Sequence, residues 1–143
     1  MLKACSIMHP MDISPKQACE DLVALVKKVK TSLGLLAERH GLTHMQLFVL
    51  DVISHGSTTM GRLADNLHCD ASNITGIIDR LVVMGLVDRH EKEDDRRIKE
   101  LRLTAAGEHL FHRIKHELPE VLGCTKLDHD EQLALHRLAE RLL

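Results

Sequence analysis

The sequence predicts a mainly α-helical domain that carries one small β-hairpin. Three observations lead there. The chain of 143 residues is rich in Leu and Ala but has only two Phe and no Trp or Tyr, whereas sheet-rich folds lean on aromatic and β-branched residues. Helix-start signals recur, each followed by apolar residues at helical spacing. Around "LVDRHE" and "IKELRL" the period shortens to alternation.

Ser14 is the expected N-cap of a long first helix, with Pro15 in its first turn and Gln17 closing a capping box. Ala18, Leu22, Leu25, Val26, Val29, Leu33 and Leu36 follow at helical spacing, and Gly41 ends the element. Thr43 and Gln46 form a second capping box, with Leu42 placed to staple onto Leu47, and this helix stops near Gly56. A short helix follows, capped by Thr58 or Thr59, with Met60, Leu63, Ala64 and Leu67 inward. Asp70 caps the next one, whose apolar face is Ile74, Ile77, Ile78 and Leu81, and Gly85 ends it. The two alternating runs around the charged link read as a two-stranded hairpin. Thr104 caps a helix that continues to about Leu118, where Pro119 breaks or kinks it. Asp128 and Glu131 form the capping box of a terminal helix striped with Leu133, Leu135, Leu138 and Leu142.

The order is a long helix, three helices, a hairpin, a long helix and a terminal helix. Three helices closed by a hairpin is the winged helix-turn-helix plan, with "TMGRLADNLH" and "DASNITGIIDRL" as the helix-turn-helix pair. The length suits a single domain with a real core.

Bulk chemistry narrows the function classes. The formal net charge is −2, so global charge points to no polyanion. Surfaces that stack sugars or single strands on aromatics are nearly excluded. There is no apolar run long enough to span a membrane, and "MLKACSIMHPMDI" makes a poor signal peptide. The four cysteines form no C-x-x-C pair and are expected as free thiols, in the cytoplasm. No nucleotide loop, nucleophile elbow or H-E-x-x-H is present, so an enzyme is not expected.

The segments "LTHMQLFVLDVI", "GRLADNLHCDASNITGIIDRLVVMGLVDRH" and "DDRRIKELRLTAAG" resemble the MarR family of bacterial transcription regulators. The wing pattern is carried by Asp95, Arg97, Leu103, Thr104 and Gly107, and a second element by Leu81, Gly85, Leu86 and Val87. The resemblance covers roughly Ser14 to Leu142. It implies an obligate homodimer, with residues 1–40 and 104–143 mainly for dimerisation and 42–103 for DNA. It also implies a pseudo-palindromic duplex as partner, and usually a repressor released by a small molecule, oxidant or metal.

The recognition helix is expected to offer Ser72, Asn73, Thr75, Gly76 and Arg80 to the major groove, since Asn can read adenine and Ser or Thr either partner type. Arg80 either grips a phosphate or pairs with an acid such as Asp79. Arg62, with Thr58 and Thr59, is placed for backbone phosphates. By resemblance, Arg97 enters a minor groove, Asp95 orients it, and Arg96 stands beside it. A solvated charged turn is the plain alternative for this stretch.

Three effectors are considered. A small lipophilic or phenolic molecule would sit in a pocket lined from the first, second and fifth helices. Oxidation of Cys19 is suggested by its place 24 residues before Thr43, which resembles the family's peroxide sensors, with Cys124 as resolving partner; this chain has no Tyr to hold such a cysteine. His109, His112 and His116 lie on one helix face, but a metal site needs more ligands, and a solvated face is the simpler reading. No cofactor is expected. A winged-helix module used only for protein contacts remains the alternative to DNA binding.

Overall fold

The structure, a computed structural model, describes residues 13–143; the N-terminal stretch considered as a leader or dimer arm lies outside the described residues up to Ile13. The chain falls into two compact units, one to Thr31 and one from Ser32. The elements are α1 (Pro15–Arg39), α2 (His44–Ser54), β1 (Thr58–Thr59), α3 (Met60–Leu67), α4 (Ala71–Val83), β2 (Val87–Lys92), β3 (Asp95–Leu103), α5 (Ala105–Val121) and α6 (His129–Leu142), with a short 3₁₀ turn at Cys124–Lys126. The fold is mainly helical with a winged helix-turn-helix at its centre, as the element order implied.

Helix ends follow local chemistry. The Gln17 N–H donates to Ser14 Oγ at 3.2 Å, but the Gln17 side chain turns forward and donates to Asp21 Oδ1 at 3.0 Å. The expected capping box of α1 is therefore only half made. At α2 the box is complete: the Thr43 N–H donates to Gln46 Oε1 at 2.8 Å and the Gln46 N–H to Thr43 Oγ1 at 3.2 Å. Leu42 and Leu47, the expected staple, are both buried. α6 also carries its full box on Asp128 and Glu131. Helix α4 ends in a Schellman motif: the Gly85 N–H reaches Val82 O and the Leu86 N–H reaches Leu81 O, both at 2.9 Å. Gly85 takes φ +71° there, a left-handed backbone that side chains rarely adopt.

Two expectations are corrected. α5 does not stop at Leu118 but runs through Pro119 to Val121. Pro119 falls in the exposed last turn, where losing one N–H costs a single bond that water can replace. The β2–β3 hairpin forms as expected but the sheet does not stop there: β1 joins it, giving an antiparallel sheet in the order β1-β3-β2, with Thr58 opposite Leu101 and Thr59 opposite Glu100.

The core lies in the unit from Ser32. Leu36, Leu50, Leu63, Ile74, Ile78, Leu81, Leu101 and Ile114 are fully buried, drawn from α1 to α5 and β3. Burying each such side chain is worth roughly 1.5–3 kcal/mol. In the other unit, Leu22, Leu25 and Val26 of α1 are about half exposed. Leu133, Leu138 and Leu142 of α6 also face solvent.

One junction ties α4 and the β2–β3 hairpin to α5. The Thr104 N–H donates to Leu86 O at 3.1 Å, and its hydroxyl donates to Gly85 O at 2.6 Å while accepting the Gly107 N–H at 3.0 Å. A Cβ at Gly107 would stand 2.1 Å from Leu86 O, which is backbone and cannot swing aside. Gly107→Ala is therefore expected to destabilise the protein by about 1–3 kcal/mol, as overpacking does. Urea denaturation of the two proteins measures it; an unchanged midpoint would contradict the contact.

Candidate nucleic-acid interface

Helix α4 buries Ile74, Ile78 and Leu81 and leaves the opposite face open. On that face Ala71, Ser72, Asn73, Thr75, Gly76 and Arg80 are all exposed. Asp70 is the N-cap by backbone conformation, but its carboxylate makes no capping bond. The Thr75 hydroxyl donates to Ala71 O at 2.9 Å, so in this rotamer it is left only as an acceptor. A Cβ at Gly76 would meet nothing within 4 Å, so no packing contact among the described residues requires the glycine. It leaves a bare stretch of helix surface between Thr75 and Arg80.

Arg80 is not paired with Asp79. Asp79 instead accepts a hydrogen bond from Arg89 of β2, an ion pair that joins α4 to the wing. Among the described residues, Arg80 enters no ion pair. On α3, Thr59 proves to be the cap, its Oγ1 accepting the Arg62 N–H at 3.3 Å. Arg62 is exposed, whereas Thr58 is buried by its pairing in β1 and is withdrawn from any phosphate.

The wing tip is a turn at Glu93 and Asp94 between β2 and β3. Lys92 pairs with Asp95 but Glu91 pairs with Lys99, so Arg96, Arg97 and Ile98 bulge out of the ladder. All three are exposed. Asp95 Oδ1 accepts the Arg97 backbone N–H at 3.0 Å and makes no bond to its guanidinium. The contact is thus to the Arg97 backbone within the bulge and not to its side chain. Among the described residues neither Arg96 nor Arg97 enters an ion pair.

The other sequence candidates lie elsewhere. Cys19 is exposed on α1, while Cys69 and Cys124 are half-buried, and all three are free thiols. The Cys69 thiol sits in the turn before α4 and donates to Leu67 O at 3.2 Å. His109, His112 and His116 share α5. A concavity of about 600 Å³ opens between α2, β3 and α5, lined by Ile53, Leu103 and Phe111 and rimmed by Arg102, His112 and Lys115. Gly56, Leu103 and His112 stood out in the sequence for other reasons, but no local motif marks where three elements meet.

These features define a winged helix-turn-helix module with an open helix face and a wing whose tip is extruded. Residues 42–99 match the family model of MarR, so over that segment the chain is similar to the MarR family. A curated relative, the HTH-type transcriptional repressor MdtR of Bacillus subtilis, is 33% identical over 94 residues, 65% of this chain and 61% of the relative. With the next relative the match spans 59% of its length, so the chain aligns to about three fifths of these proteins. The reduced form of MarR from E. coli superposes with a TM-score of 0.72 at 26% identity, covering 92% of this chain and 98% of that one. A MarR variant from E. coli complexed with operator DNA shares the fold, with a TM-score of 0.68 at 24% identity over 87% of this chain and 92% of that one.

Electrostatics at the base of the wing yield a pH prediction. The Arg102 guanidinium hydrogen-bonds Glu100 and holds its carboxyl below the usual carboxylate range; burial opposes this, while Ser57 and the charges of Arg102 and Lys92 reinforce it. A depressed folded-state pKa means stabilisation that is present above the unfolded value, about 4.3, and is lost as pH falls through the folded one. Glu100→Gln is thus expected to be less stable than the parent at pH 7, the gap closing towards pH 3. Urea midpoints across that range test it; a constant gap would contradict it.

Proposed function

We propose that the chain is a sequence-specific, double-stranded-DNA-binding transcriptional regulator, acting as a homodimer and most simply as a repressor released by a small-molecule effector. The observation that carries this reading is one frame with two reading parts: the open polar face of α4 and the two unpaired arginines on the extruded wing bulge. Helix α4 enters the major groove, with Asn73 and Ser72 at base edges and Thr75 accepting from a base amino group. Gly76 lets the helix sit close, Arg80 and Arg62 lie towards phosphates, and Thr59 flanks them. Arg97 and Arg96 reach the adjacent minor groove, where narrow width concentrates negative potential.

Residues 1–40 and 104–143 serve mainly as dimerisation segments and 42–103 as the DNA-reading part. The exposed apolar residues of α1 and α6 support this, since a monomer leaves them in water. The concavity between α2, β3 and α5 combines an apolar floor with cationic rim groups, which suits a small amphipathic or phenolic effector. Among the described residues no helix is long and apolar enough to cross a membrane.

Fluorescence anisotropy with the duplex next to the protein's own gene tests the reading. Arg97→Ala is expected to weaken binding about tenfold, with Tm and dimer mass unchanged, and Asn73→Ala to relax discrimination by about 1–3 kcal/mol at one base pair. Absence of duplex binding at low salt would favour a protein-contact module instead.

A further inference from the structure

A different chemistry lies on α5. Among the described residues, the histidines in ion pairs are His40, His90 and His136, on Glu117, Asp88 and Glu140. His112 and His116 face each other instead. Their ring centroids are 4.9 Å apart and their planes are inclined by 57°. Both rings are exposed. They stand one helical turn apart, so they rise from a single stripe of the helix. Lys115, next to His116 in sequence, places its ammonium 5.2 Å from the Phe111 ring centroid rather than pairing with an acid.

This spacing can be compared with what a shared metal ion requires. A metal roughly 2.0–2.1 Å from each donor nitrogen lies roughly 3.2 Å from each ring centroid. Two such rings held at about 90° are separated by roughly 4.5 Å between centroids, and at the tetrahedral angle by roughly 5.2 Å. The observed 4.9 Å falls between the two. The centroid spacing of the pair is therefore compatible with chelation of one ion. Glu108 and Glu120 lie one turn beyond either end of the pair and are exposed, which adds negative charge near a cation.

We propose that His112 and His116 form a binding site for a late divalent transition-metal ion: Cu(II) most strongly, with Ni(II) and Zn(II) weaker, in the order imidazole donors impose. Among the described residues no group of three or more His, Cys, Asp or Glu converges, so water completes the coordination shell. The ion therefore exchanges readily, unlike one held in a closed structural site. Neither histidine lies on α4 or the wing, and His112 also rims the concavity between α2, β3 and α5.

The test is a Cu(II) titration of the full-length metal-free protein, followed by electron paramagnetic resonance and by competition with a chelator of known affinity. The expected result is one dominant site whose spectrum reports two equatorial nitrogens. His112→Ala and His116→Ala should each lower Cu(II) affinity at least about tenfold, a loss that even an outer-shell change can cause. Each should also leave a one-nitrogen spectrum. His136→Ala, which removes a histidine of α6, should change neither. Unchanged affinity and spectrum in His112→Ala, or an equal loss in His136→Ala, would overturn the proposal. Both rings are exposed, so the variants are expected to fold; circular dichroism verifies this, and His112→Asn serves as a second variant of similar size.

Discussion

The carbonyl of Leu86 accepts the Thr104 N–H at 3.1 Å and fills the space that a side chain on Gly107 would need. Four elements meet within a few residues of this contact. Helix α4 ends at Val83, just before the Gly85 turn, β2 begins at Val87, β3 ends at Leu103 and α5 begins at Ala105. The Thr104 hydroxyl serves two of them at once, donating to Gly85 O and accepting from Gly107. The left-handed turn at Gly85 is what brings Leu86 into place. Relaxing any one of these would tilt the wing against the helix it flanks. The Arg89–Asp79 pair braces the same relationship further out, where solvent limits its strength.

That frame matters because the proposed DNA-facing surface has little charge to spare. From Thr59 to Leu103 the sequence holds eight Lys or Arg and nine Asp or Glu. Two of those cations, Arg89 and Arg102, are engaged with Asp79 and Glu100. On the proposed reading, affinity for a polyanion comes from a few cations held where they count, not from a broad basic patch. Asp95 bonds the backbone of the bulge at Arg97 and not its guanidinium.

Much of this was legible in the sequence, because it rests on local rules. The caps at Thr43, Thr59, Thr104 and Asp128 and the stops at Gly41 and Gly85 depend on residues within one turn of each other. The open face of α4 follows from where Ile74, Ile78 and Leu81 fall on a helix. The misses share a cause in partners chosen from beyond the local window. Strand β1 is two residues long, too short for any period, and exists only because β3 has a free edge beside it. Gln17 turned to Asp21 because an exposed amide can choose its partner. Asp79 found Arg89 across the fold rather than its neighbour Arg80. The three-residue bulge of the wing cannot be read from spacing, since an even alternation and a bulged one share the same charges.

The central claim is that α4 and the wing bulge, held on one frame, are the surfaces that meet duplex DNA. Hydrogen–deuterium exchange with and without the duplex from beside the protein's own gene examines both at once. The account predicts slowed exchange at the first turns of α4, Ala71 to Gly76, and across the wing from Lys92 to Lys99, with the last turns of α5 unchanged. Protection confined to α5 and α6, with α4 and the wing unaffected, would contradict it.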